Sequence, residues 1–352
     1  MEERRRLLGA FAIGAGVAAV IVAVSWASDP QHETAYGDGL IYRFVAAHIS
    51  ATPDDLPRLD PERVVIDRGP SLRYGRIGLP AAVWLVSAGR RSVMPVTQPI
   101  VVIAAAGAAS AAAMALFPRA GGLAAAFPFL APGVALSVAG GYAEVLAAAF
   151  GLWAVWFALR DRWIASAALL GAAILTKENA VVILVGLAVW LVIRRRWRPL
   201  VSLASGLVPV AIYWLFVDAR FGHIPPLDPY LREATTTIGT PVVALVQSFT
   251  DAYSAESAIW AALHVVLGIA VVTQIRTSLF ALIGSVAALQ LLAAGPFGWR
   301  YIGDASRISS IFQLFVVLTI VSRVRPGWAD ERALGLLPST AATAAPTGER
   351  RG

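Results

Sequence analysis

The stretch "LGAFAIGAGVAAVIVAVSWA", Leu8 to Ala27, decides the class of fold. It carries no charge over about 20 residues, the length a helix needs to cross the hydrocarbon core of a bilayer. The basic cluster of "MEERRR" precedes it, as in a signal peptide. No convincing small-residue cleavage site follows and many more apolar runs do, so it reads as a retained first helix. Working outward, further apolar runs lie at about 77–89, 97–117, 121–140, 143–159, 163–176, 179–193, 199–217, 258–275, 278–294 and 308–322. The chain is 58% hydrophobic, against about 45–50% in ordinary soluble domains. A membrane barrel would show short alternating segments instead, and none is present. The expected fold is an all-α, polytopic transmembrane helical bundle.

Charge placement sets the expected topology. The net charge of +7 could point to nucleic acid. The arginines, however, fall between apolar runs, at Arg90-Arg91, Arg160–Arg162, Arg194–Arg198 and Arg323/Arg325. That is the positive-inside pattern of cytoplasmic turns, and no nucleic-acid partner is expected. Two long loops, about 28–76 and 218–257, carry more acid than base and are assigned outside, with a third at about 295–307. Eleven full crossings cannot leave both termini on the basic side. "GGLAAAFPFLAPGVALSVAGG" (Gly121–Gly141) holds Pro128 and Pro132 between glycine pairs, and reads as a re-entrant or broken helix. About ten crossings remain, in a plasma-membrane protein whose external first loop carries interfacial helices. Residues 1–324 form the membrane domain, and 325–352 read as a low-complexity, disordered cytoplasmic tail. With no cysteine, the chain has no disulfide, thiolate metal site or cysteine nucleophile.

Several segments have a familiar layout. A single helix leads to an external loop with an acidic residue, Asp38, and then to "LRYGRIGLPAAVWLVSAG" (Leu72–Gly89). There follow "GGYAEVLAAAFGLWAVWFALRDRW" (Gly140–Trp163), "LLGAAILTKENAVVILV" (Leu169–Val185), "YWLFVDARFG" (Tyr213–Gly222) and "GDASRISSIFQLFVVL" (Gly303–Leu318). Together they resemble the GT-C membrane glycosyltransferases, and among these the actinobacterial mannosyltransferase-like members. The resemblance implies transfer of a mannose-like sugar from a polyprenyl-phosphate donor to a glycan, lipid or protein acceptor at the outer membrane face. The familiar first-loop signal is often a pair of acids, or Asp with a neighbouring Trp; here Asp38 lies between two glycines.

The residues suit that chemistry. A glycosidase needs two carboxylates because an alkoxide must be protonated as it leaves. A phosphate leaves as a stabilised anion, so one carboxylate base and fixed cations suffice, without a cofactor. Asp38 is the candidate base, and the alternative is that it caps the interfacial helix beginning "GLIYRFVAAHI". Arg73, Tyr74 and Arg76 lie where the first loop re-enters the membrane, suited to a phosphate or to interfacial anchoring. As i and i+3 on a helix, the two arginines would share a face. Glu144 opens an apolar helix, and Lys177-Glu178 joins two short apolar runs, either lining a cavity or forming a solvated ion pair in a hairpin. Asp304 and Arg307, i and i+3 where the last helix begins, either form an intrahelical ion pair or leave Arg307 to favour an anion at that helix end. "FGHIPPLDPYLRE" (Phe221–Glu233) reads as an ordered turn that covers a site. The four histidines have no metal-ligand spacing, and the acid-rich "TPDDLPRLDPE" (Thr52–Glu62) reads as a solvated run, with a divalent ion as the alternative. Two competing classes are a transporter or lipid flippase and a non-catalytic membrane scaffold.

Overall fold

The computed structural model describes residues 2–28, 38–60, 65, 69–228, 255–292 and 306–334. Among these the chain is all-helical, and the one β-bridge joins Ser278 to Leu334. Helix α1 (Glu2–Ser28) is followed by three short helices of the first loop, α2 (Asp38–Ala47), α3 (Leu56–Leu59) and α4 (Pro70–Gly75). Then come α5 (Gly78–Val86), α6 (Met94–Leu116), a 3-10 segment (Pro118–Leu130), α7 (Pro132–Gly140), α8 (Glu144–Leu159), α9 (Trp163–Thr176) and α10 (Val181–Ile193). The rest is α11 (Trp197–Ala204), α12 (Leu207–Phe221), α13 (Ala255–Val272), α14 (Leu279–Leu292) and α15 (Ser310–Val324).

The chain is a membrane protein by the length and apolarity of its helices. Three stretches can each cross a bilayer unaided: Glu2–Ser28, Arg91–Leu116 and Trp197–Phe221. The Pro118–Leu130 segment and α7 together would make a fourth, bent by 73° at the break. This is the break expected from Pro128 and Pro132. Pro132 opens α7 after the extended Ala131, and Gly121 takes a left-handed φ of 59°. Six further apolar helices run 10–17 residues.

Small residues set the packing. Helix α6 buries a run of alanines against α1, and a Cβ on Gly14 would lie 2.1 Å from Ser110 Oγ. Without hydrophobic drive between helices in lipid, such close approach is how they associate. The break before α7 frees backbone N–H groups inside the bundle. That of Gly133 is taken by Gln313 Oε1 of α15 at 2.8 Å. The Gln313 amide in turn donates to Ser309 Oγ, which lies 2.8 Å from His264 Nε2 of α13. This network fixes the start of α15.

The two ends of the bundle differ. Helices α6, α8 and α10 finish at one face, near Arg160, Arg162 and Arg194–Arg198. The residues after Val324, expected as a disordered tail, fold back over that face as far as Leu334. Ala329 and Ala333 are buried, Asp330 N–H donates to the Leu116 carbonyl, and Arg332 donates to the Leu159 carbonyl. The small, alanine-rich sequence concealed two buried anchors. Residues 335–352 lie outside the described residues, as do Asp304, Arg300 and the loop from 229 to 254.

Candidate functional site

At the opposite face, where α8, α10 and α15 begin, the helices deliver charge to one place. Asp38 is the first residue of α2, and Ile41, Tyr42 and Val45 of that helix are buried. Arg73 lies on α4, which opens on left-handed Gly69 and Pro70. The Asp228 carboxylate supports α4 by accepting from Leu72 N–H at 3.2 Å, so the Phe221–Glu233 turn packs behind the site as far as it is described.

The Asp38 carboxylate is gripped on both oxygens, by Arg73 at Oδ1 (3.1 Å) and by Arg307 at Oδ2 (2.8 Å). Arg307 also reaches Glu144 Oε1 at 3.3 Å, and its guanidinium sits 3.8 Å from the centre of the Tyr142 ring. Lys177 Nζ meets the same Glu144 oxygen at 3.1 Å. A second unit stands beside this chain. Arg76 donates Nε to Glu178 Oε2 at 2.7 Å and makes a second, parallel contact through Nη2. Seven of the eight expected site residues thus converge from distant segments. Among the described residues, four cations face three anions, an excess of one positive charge.

Burial makes these pairings consequential. The Glu144 side chain is fully buried and that of Lys177 is 7% exposed. Taking ions from water is costly, and a buried pair repays it only with close geometry. Removing one member leaves an uncompensated charge, at about 3–5 kcal/mol. Burial on its own would push the Asp38 carboxyl up. Arg73, then Arg307, Lys177 and Arg76, outweigh it and hold the group well below the usual carboxylate range. Asp38 is an anion throughout the physiological range, and its carboxylate faces guanidinium groups.

Several sequence expectations change. Arg73 and Arg76 do not share a face, because α4 ends at Gly75 and Arg76 leaves the helix with ψ of 55°. Lys177 and Glu178 are not a solvated pair of a hairpin; backbone extension at Lys177 (φ −154°, ψ 119°) sends them to different partners. Tyr74 points away from the network. Its hydroxyl donates to the His48 carbonyl at 2.9 Å, and its ring packs on Phe221 in a separate apolar cluster with Ile41 and Val45. Within the acid-rich run, Asp55 accepts from Thr52 and Asp60 accepts from Val65 N–H.

Sequence reading missed four residues. Gln98 of α6 is fully buried, and its amide nitrogen donates to the Gly39 carbonyl (2.8 Å) and the Gly141 carbonyl (2.9 Å). One side chain thereby ties the turn after Asp38 to the turn before Glu144. A lone amide inside "MPVTQPIVV" was the available signal. Tyr142 stacks under Arg307, and Tyr42 lies one helical turn from Asp38. Asn179 donates to the Ile308 carbonyl at 3.1 Å, next to Arg307.

A buried network of guanidinium, ammonium and carboxylate groups at one face of a helical membrane protein is the class that this geometry defines. Searches against protein-family models, curated proteins and solved structures found no match to this chain.

Proposed function

We propose that this chain is an integral membrane glycosyltransferase. It moves a mannose-like sugar from a polyprenyl-phosphate donor to a glycan, lipid or protein acceptor on the extracytoplasmic face of the plasma membrane. In this reading about ten crossings and the broken helix place both termini in the cytoplasm. The observation that supports it most is the double grip of Arg73 and Arg307 on Asp38. The same guanidiniums that neutralise Asp38 suit a phosphate, whose oxygens accept paired N–H donors.

The reaction is a single inverting displacement that draws on no metal. The donor phosphate competes with Asp38 for Arg73 and Arg307. As they turn to the phosphate, the carboxylate regains basicity. The acceptor oxygen attacks the anomeric carbon and its proton passes to Asp38. The bond from that carbon to the phosphate oxygen breaks, and the electron pair leaves on the phosphate. Arg73, Arg307 and Lys177 stabilise the charge that develops there. Arg76 and Glu178 hold α4 to the α9–α10 junction.

The test is sugar transfer from a short-chain prenyl phosphoryl hexose, measured in membranes. Asp38→Asn is expected to lose about 10²–10⁴-fold, the usual contribution of a general base. Folded protein is verified by monodisperse gel filtration. A folded Asn variant with near-normal transfer would defeat the assignment of Asp38.

A further inference from the structure

Buried polar atoms without partners surround the charged network. Among the described residues, Tyr42 Oη, Gln98 Oε1, Glu144 Oε2 and Asn179 Oδ1 are all buried and make no hydrogen bond. Tyr42, Gln98 and Glu144 are fully buried, and Asn179 is 6% exposed. Such atoms are few in native proteins and each calls for an explanation. Here they share an address. Tyr42 follows Asp38 by one turn of α2, on the same face. The other oxygen of Glu144 holds Lys177 and Arg307. Asn179 is bound to the carbonyl beside Arg307, and Gln98 to the carbonyl beside Asp38.

These four oxygens share one chemistry. The two amides cannot be turned over, because their nitrogens already donate to carbonyl oxygens. Their oxygens are therefore acceptors, as is Glu144 Oε2, and the Tyr42 hydroxyl accepts as well as donates. Acceptors call for donors. An ammonium group would supply them but is disfavoured by the excess positive charge of the network. Neutral hydroxyls are not. A bare phosphate would satisfy the cations and leave all four acceptors unmet.

We infer that these four residues form a polyol subsite, and that the ligand of this centre carries a hydroxyl-rich glycosyl group on its anionic phosphate. The inference rests on the function proposed above and adds the residues that recognise the sugar. Tyr42 carries the selectivity that can be tested, since Gln98, Glu144 and Asn179 also hold the framework.

Two probes separate the subsite from the phosphate clamp: a short-chain prenyl phosphate, and the same prenyl phosphate bearing a hexose. Binding of each to the full chain in lipid nanodiscs is measured by calorimetry. Wild type is expected to bind the hexose form about tenfold more tightly. Tyr42→Phe is expected to weaken hexose binding by about 2- to 10-fold, the worth of one neutral hydrogen bond, and leave prenyl phosphate unchanged. Tyr42→Phe removes only an unpartnered hydroxyl, so it is expected to fold as well as wild type. If the hexose adds nothing to wild-type binding, or Tyr42→Phe leaves the preference intact, the polyol subsite is overturned while the phosphate clamp stands. If neither probe binds wild type, both fail.

Discussion

At the scale of single residues, Gln98 and Asp38 show how a buried polar group is made useful. Gln98→Leu keeps the volume but removes both amide bonds, to the Gly39 and Gly141 carbonyls. Each lost hydrogen bond costs about 0.5–1.5 kcal/mol, so the thermal midpoint is expected to fall below that of wild type. An unchanged midpoint would mean that the clamp contributes nothing. Asp38 adds a pH signature. Its folded pKa lies below its ordinary value of 3.8, so its ionised form contributes stability at every pH above that value. The contribution is lost only as pH falls from 3.8 toward the lower folded value. The stability gap between wild type and Asp38→Asn is therefore expected to stay constant from about pH 7 to pH 5 and to close in stronger acid. A gap that closes between pH 7 and pH 5 would show that the arginines do not hold the carboxyl down.

The helical elements were legible in the sequence because apolar length and glycine or proline punctuation are local signals. Pro128 and Pro132 announced the break before α7, and Asp38 announced the start of α2. Pairings were not legible. Nothing local says that Lys177 turns to Glu144 and Glu178 to Arg76, or that α4 ends early enough to release Arg76. Nor does the pattern around Tyr74 reveal that its hydroxyl is spent on His48. These outcomes depend on contacts between segments about 25 to 270 residues apart, where the arrangement of helices overrides local preference. The break before α7 gives an expected outcome at this scale. A Cβ on Gly133 would lie 2.0 Å from the Ser306 carbonyl oxygen, which is backbone and cannot rotate aside. Gly133→Ala should cost about 1–3 kcal/mol from overpacking. By displacing the turn before Arg307, it should also weaken prenyl phosphate binding. Wild-type thermal stability in Gly133→Ala would contradict so close an approach of α7 and Ser306.

For the molecule as a whole, the Arg160–Arg162 and Arg194–Arg198 turns lie at one face and the charged centre at the other; Arg90-Arg91, expected with the first group, instead sits at the face of the centre, beside the first loop where α6 begins. The proposed orientation is open to direct labelling because the chain has no cysteine. A single cysteine at exposed Ser50, three residues past α2, is expected to react with an impermeant maleimide in intact cells. A cysteine at exposed Arg195, in the turn after α10, is expected to react only after permeabilisation. The reverse pattern would turn the molecule over and move the centre to the cytoplasm. The centre also has a history within each molecule. Asp38 and Arg307 are 269 residues apart, a distance that takes on the order of 10–50 s to synthesise. Until Arg307 and α15 arrive, the ion pairs among the described residues leave Asp38 with Arg73 and Glu144 with Lys177. Asp38 and Glu144 thus stay half-compensated while the intervening helices are made, and the arrival of Arg307 ahead of α15 completes the pairing. A chain that stops before Arg307 would lack that closure, which gives cellular quality control a physical difference by which to recognise it.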